Sequence, residues 1–138
     1  MTIPKRCRVV ATREAIRLAE RKNIRLSQLV ENQSFDLILA KEVGQIVNIL
    51  ESDEEVQYVI FELGLNKLQT VGIMSWMKHH RPDIRSVALY ESDYDGLCEI
   101  ARVMKVTKVI GVDGYINDNL CRTPNLGADY SCLMASSI

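Results

Sequence analysis

Glu62 ends a nearly all-apolar run, Val-Gln-Tyr-Val-Ile-Phe-Glu at positions 56–62, and is followed at once by Leu63 and Gly64. An acid between a strand and a Gly-containing turn stands where parallel α/β sheets carry their chemistry, outside the carboxyl ends of the strands. A carboxylate there can accept a phosphoryl group, hold a metal ion or pair with a cation, and the residues at the other strand ends decide which. Other chemistry-bearing groups are sparse. The two histidines, His79 and His80, are adjacent, and neighbours in a helix do not share a face, so they make a poor metal pair. Glu91, Asp93 and Asp95 form an acidic run that reads as a solvated loop. The seven glycines are dispersed, with no phosphate-cradling G-x-x-x-x-G-K or G-x-G-x-x-G and no G-x-S-x-G nucleophile elbow. No catalytic residue, metal ligand set or cofactor is therefore assigned.

The 138 residues suit one domain with a proper core. A formal net charge of −1 with scattered Lys and Arg argues against binding nucleic acid through its backbone, which requires a basic face. No apolar run approaches the eighteen or so residues of a membrane span, and the start Met-Thr-Ile-Pro-Lys-Arg does not read as a secretory leader. The expectation is a cytoplasmic protein. Cys7, Cys98, Cys121 and Cys132 contain no C-x-x-C pair, and all four are read as reduced thiols.

The elements that must position Glu62 alternate. Residues 7–12 read as a strand and 13–32 as a helical stretch, either continuous or broken near Asn23. Residues 35–40 read as a second strand. Val43, Ile46, Val47 and Leu50 then give the i, i+3, i+4, i+7 stripe of a helix. The run ending in Glu62 is the third strand. A helix over 68–79 follows, with Leu68, Val71, Met74 and Trp76 or Met77 facing inward, and Arg81-Pro82 stops it. Residues 85–90 read as a fourth strand. The next helix is capped at Ser92 or Asp93 and buries Leu97, Ile100, Ala101 and Met104. Residues 106–112 are the fifth strand. Strands alternating with helices imply a parallel sheet with helices on both faces. Residues 114–138 lack periodicity, apart from a short helical suggestion at 128–135. The domain thus reads as a core over 7–113 with an irregular tail where a further helix would be expected.

In this order and spacing, Phe35-Asp-Leu-Ile-Leu-Ala40, Val59-Ile-Phe-Glu-Leu-Gly-Leu-Asn66 and Arg81-Pro-Asp-Ile-Arg-Ser-Val-Ala-Leu-Tyr90 resemble the response-regulator receiver domain (CheY-like) family. The resemblance implies a flavodoxin-like, doubly wound sheet of five parallel strands in the order 2-1-3-4-5. It also implies a phosphoryl-transfer pocket, and here the chain departs from the family. The phospho-acceptor aspartate matches Glu62. The carboxylate pair that would hold magnesium falls at Thr12 and Arg13. The small switch hydroxyl of the fourth strand falls at Tyr90, with Ser86 and Ser92 offset from it. The lysine closing the fifth strand falls at Val112 or, in a shifted alignment, at Asp118.

Without the carboxylates the cation loses its oxygen cage, and without the lysine a phosphoryl group loses its charge partner. The expectation is a degenerate pseudo-receiver. Glu62, Thr12, Arg13, Tyr90 and Val112 would be the remains of the pocket, with Glu62 free, paired with Arg13 to close it, or mimicking phosphorylation. Such a domain acts through protein partners in a signalling pathway, a homodimer among them, on apolar surface left bare beside the fifth strand. Two alternatives stand beside it: a small-molecule sensor or enzyme using the crevice near Thr12, Glu62 and Tyr90, and an atypical receiver phosphorylated at Glu62.

Overall fold

A computed structural model of the chain describes residues 7–32, 34–64, 67–91 and 96–113. The tail, and with it Asp118, Cys121 and Cys132, lies outside the described residues, as do Ser92, Asp93 and Asp95. The elements are β1 (Cys7–Thr12), α1 (Arg13–Arg21), α2 (Leu26–Val30), β2 (Phe35–Ala40), α3 (Gly44–Ser52), β3 (Val56–Glu62), α4 (Lys67–His80), β4 (Arg85–Tyr90), α5 (Leu97–Val103) and β5 (Lys108–Gly111). All pairings are parallel, and the sheet order is β2-β1-β3-β4-β5, the order expected.

The sheet separates two cores. On one face Val10, Val59, Phe61 and Ala88 pack against α3, α4 and α5 through Ile46, Leu50, Ile73, Met74, Leu97 and Ala101. On the other, Val9, Ile60, Val87 and Leu89 pack against α1 and α2 through Ala15, Leu18, Ala19, Leu29 and Val30. Cys7 and Cys98 are buried thiols outside any disulfide, one in each core.

Four details differ from the sequence expectation or resolve it. The first helical stretch is broken: Asn23 takes a left-handed φ of 58°, and Ile24 donates its N–H back to Ala19 at 2.9 Å. Helix α4 buries Thr70, Ile73, Met74 and Met77, while Leu68, expected inside, is 87% exposed. The helix begins at Lys67, and its inward row runs i, i+3, i+4, i+7 from a threonine, which apolarity alone does not mark. The N-cap position of helix α5 is Gly96, at a positive φ of 71°, while the expected caps Ser92 and Asp93 lie outside the described residues. Strand β5 is shorter than expected, because Thr107 exchanges hydrogen bonds with Ser86 (Ser86 N–H to Thr107 Oγ1 3.0 Å, Thr107 N–H to Ser86 Oγ 3.3 Å) instead of entering the ladder.

The path of α1 and α2 matters for the site. The end of α1 reaches the far strands: Lys22 pairs with Asp113 at 2.7 Å and Glu91 at 3.6 Å, and Arg21 lies 3.5 Å from Glu91. Glu31, after α2, pairs with Lys108 at the start of β5. The helical pair therefore lies on β1 and β3 and reaches across to β4 and β5. Outer strand β2 is left with Leu37 and Leu39, 45% and 50% exposed, on the same face. β5 is half-buried along its whole length, and the apolar surface expected beside it depends on residues 114–138, outside the described residues.

Candidate functional site at the carboxyl ends of the strands

Each expected pocket residue can be placed. Thr12 ends β1 and caps α1, its Oγ1 accepting the Ala15 N–H at 3.2 Å, and only 2% of it is exposed. A hydroxyl at this position satisfies one of the orphan N–H groups of the helix, so Thr12 is engaged in folding. Arg13 opens α1 and is exposed. Among the described residues no ion pair joins it to Glu62, and the closure by an Arg13–Glu62 pair is not formed. The direction of α1 explains this: it is Arg21, two turns on, whose charge acts on Glu62.

Glu62 ends β3 beside Leu89 of β4. The strand pairing continues past it, with the Leu63 N–H donating to Leu89 C=O at 2.8 Å. This fixes the Glu62 side chain at the strand end, half-buried, with Oε1 shut from solvent and lacking a hydrogen-bond partner among the described residues. Burial pushes its pKa above the ordinary carboxyl value. The negative charges of Glu14 and Glu91 push the same way, and Arg21 only partly offsets them. The site therefore disfavours the ionised acid.

Tyr90 ends β4 with its ring against the backbone of Gly111 at the end of β5. A methyl group at Gly111 would fall 2.8 Å from the Tyr90 hydroxyl and 2.9 Å from Cζ. Any side chain there would have to push the Tyr90 ring tip aside. Val112 is 1% exposed in the α1–α2 core, an apolar group where the resemblance asks for a lysine. The cations near these strand ends, Arg21 and Lys22, come from α1 and are paired with Glu91 and Asp113. Among the described residues no three His, Cys, Asp or Glu side chains gather as a metal site.

Sequence reasoning missed Arg81. Its guanidinium donates to the carbonyls of Leu50, Asp53, Glu54 and Val56 at 3.1–3.3 Å and to the Asp83 carboxylate. This ties the end of α3 and the start of β3 to the end of α4. The acceptors are backbone groups 25–31 residues away, so no side-chain motif announces them. Two clefts open at this amino end of the sheet. One of about 560 Å³ is lined by Cys7, Glu31, Tyr58 and Arg85, and one of about 610 Å³ lies beside Trp76, His80 and Arg81. Neither is lined by Thr12, Glu62 or Tyr90. His79 and His80 hydrogen-bond through Nδ1 to the carbonyls of Ser75 and Trp76, and His80 stacks on Trp76, so they close the helix end.

No protein-family model and no curated protein matches this sequence. Solved structures do. The chain is similar to the signal receiver domain of an HD domain-containing protein from Pseudomonas fluorescens Pf-5, with a TM-score of 0.63 and 18% identity over 87% of this chain and 88% of that one. It is similar to a response regulator from Thermotoga maritima, with a TM-score of 0.60 and 14% identity over 84% and 95%. It is also similar to a CheY-like receiver domain protein from Methanospirillum hungatei JF-1, with a TM-score of 0.60 and 8% identity over 84% and 92%. At such identities the likeness is one of fold: the chain has the flavodoxin-like fold of response-regulator receiver domains. Among the described residues no helix is long and apolar enough to cross a membrane.

Proposed function

We propose that this chain is a pseudo-receiver: a receiver-fold module that is not phosphorylated and acts in signalling or regulation through protein contacts. The observation that carries this is the state of Glu62. A carboxyl whose ionised form is disfavoured by burial and by two nearby carboxylates is a poor nucleophile, and the α1 cations nearest it, Arg21 and Lys22, are paired with Glu91 and Asp113 instead of being left to hold an incoming phosphoryl group. Thr12 is committed to capping a helix and Val112 to a core, so neither can be recruited without a structural cost. Partners are then proteins, not nucleic acid or membrane, and a cytoplasmic setting suits the two buried, reduced thiols.

Incubation with a small acyl phosphate and magnesium, followed by intact mass measurement, tests the proposal. The expected result is an unchanged mass. A stable gain of one phosphoryl group that disappears in Glu62→Gln would overturn it and establish the receiver phosphorylated at Glu62.

A further inference from the structure

We infer that the cleft between the carboxyl ends of α3 and α4 receives an arginine side chain of a protein partner. The inference takes from the proposed function only that the partner is a protein.

Helix α3 ends at Ser52 and α4 at His80, and Arg81 joins the two ends by donating to the carbonyls of Leu50 and Asp53. The cleft of about 610 Å³ there is lined by Leu50, Glu51, Glu54, Trp76 and His80, with Arg81 and Asp83 beside them. Its size falls in the range of roughly 300–1,000 Å³ of ligand sites. Its walls are open: Trp76 is half-buried, and Glu51, Glu54 and His80 are exposed. Such a cleft suits one side chain presented by a partner better than a free small molecule, which needs to be largely enclosed.

The chemistry of the lining selects that side chain. Its strongest donor is already committed, because the Arg81 guanidinium is engaged with four carbonyls and the Asp83 carboxylate. His80 Nδ1 lies 3.1 Å from the Trp76 carbonyl. A carbonyl only accepts, so Nδ1 carries the hydrogen and Nε2 of the neutral ring is left as an acceptor. The side chains of Glu51 and Glu54 make no ion pair or hydrogen bond among the described residues. Apart from the Trp76 indole N–H, the side-chain groups left over are therefore acceptors. They stand beside a flat surface, the stacked Trp76 and His80 rings, with centroids 4.8 Å apart and planes inclined by 16°. Arginine matches both properties: five N–H donors, no acceptor, and a planar cation that pairs with carboxylates and stacks on aromatic rings.

Charge points the same way. Asp83, at 3.3 Å, already answers Arg81, which leaves the Glu51 and Glu54 carboxylates in surplus. Glu51 carries a separate sign. It lies in the last turn of α3, a turn with no basic residue, and an acid there opposes the helix dipole. A cation brought from outside gains from both the acid and the dipole. Natural proteins break local rules of this kind at functional positions.

Trp76 is the only tryptophan of the chain, so its fluorescence reports on the cleft directly. The test titrates the chain with the peptide acetyl-Ala-Arg-Ala-amide and with its citrulline counterpart, which has nearly the same shape and no charge. The expected result is a saturable fluorescence change in the millimolar range with the arginine peptide, as befits a single side chain, and none with the citrulline peptide. Glu51→Lys/Glu54→Lys should weaken binding by about tenfold, as two exposed charge contacts turn into repulsions, with circular dichroism unchanged. Glu20→Lys/Glu42→Lys makes the same charge change at exposed positions away from the cleft and should bind as wild type does. No saturable change, an equal response to the citrulline peptide, or equal weakening in the two double variants overturns the inference. The phosphodonor measurement can come out either way without altering this titration, so the failure of one reading is told from the failure of the other.

Discussion

Arg81 and Glu62 are both charged side chains drawn partly inside the ends of the sheet, and they are treated in opposite ways. At the amino ends of the strands Arg81, whose side chain is 15% exposed, meets four carbonyls and a carboxylate. Around it Ser86 and Thr107 exchange hydrogen bonds, and Arg8, although its Nε lacks a partner, is paired through its NH2 with Asp53 at 2.6 Å. At the carboxyl ends Glu62 keeps a buried oxygen with no partner among the described residues, and the neighbouring cations of α1 are spent on other acids. A buried polar group without a partner costs stability. The amino ends are therefore organised for folding. The carboxyl ends keep a local cost where parallel α/β sheets carry their chemistry.

The largest expected effect would break the amino end. Arg81→Ala leaves several carbonyls unsatisfied at once and should lower stability by about 3 kcal/mol in urea unfolding, given roughly 1–3 kcal/mol for each unsatisfied buried group. Arg81→Lys should recover little, because an ammonium cannot span the same fan of acceptors. A loss below about 1 kcal/mol for Arg81→Ala would mean that the two ends are not held differently.

Gly111→Ala probes the carboxyl end by sterics. The new methyl must displace the tip of Tyr90, which sits at a half-buried position and can yield, so a loss of about 1 kcal/mol is expected, the lower limit for overpacking. The loss should largely vanish when Tyr90→Ala is added, since contacting positions couple. An equal loss in both backgrounds would mean that the Tyr90 ring does not rest on Gly111.

The smallest effect is the most specific. The folded pKa of Glu62 is raised above its ordinary value of 4.5 by burial and by Glu14 and Glu91. Between that value and the raised one the folded chain keeps a proton that the unfolded chain has released. Stability contributed by this group is therefore present at low pH and lost as pH rises through the window. Glu62→Gln removes that slope, so its stability relative to wild type should improve from acid toward neutral pH. Parallel urea-derived stability curves for the two proteins would show that Glu62 ionises freely in the fold.

How much of this was legible in the sequence depends on the kind of interaction. The strands were readable because Val, Ile and Leu runs between polar turns are a local signal, and β1, β2 and β4 fall on their expected limits. The position of Glu62 followed from the strand end. Its surroundings did not. Pairing it with Arg13 assumed that the first residue of α1 would be the near cation, but the helix carries Arg21 and Lys22 to the far strands. Leu68 was misplaced because an apolar side chain in the first turn of a helix has no local mark of which way it faces, and the inward row starts from Thr70 instead. The apolar surface expected beside β5 depends on residues 114–138, outside the described residues, whereas the exposed leucines Leu37 and Leu39 of β2 were not singled out because an alternating apolar strand does not mark which of its faces is covered.

The Arg81 clamp also divides the positions around it by how freely they can vary. Because it reads main-chain oxygens, the residues that supply them can change identity without losing the contact, as long as the loop keeps its path. Asp53 and Glu54 could be replaced by many side chains and still be gripped, whereas residue 81 has no substitute with the same reach and geometry. In a saturation library scored for folding, Glu54 would look permissive, Asp53 would be limited by its side-chain pair with Arg8, and the constraint that grips their main chain would surface at a single intolerant codon some thirty residues downstream.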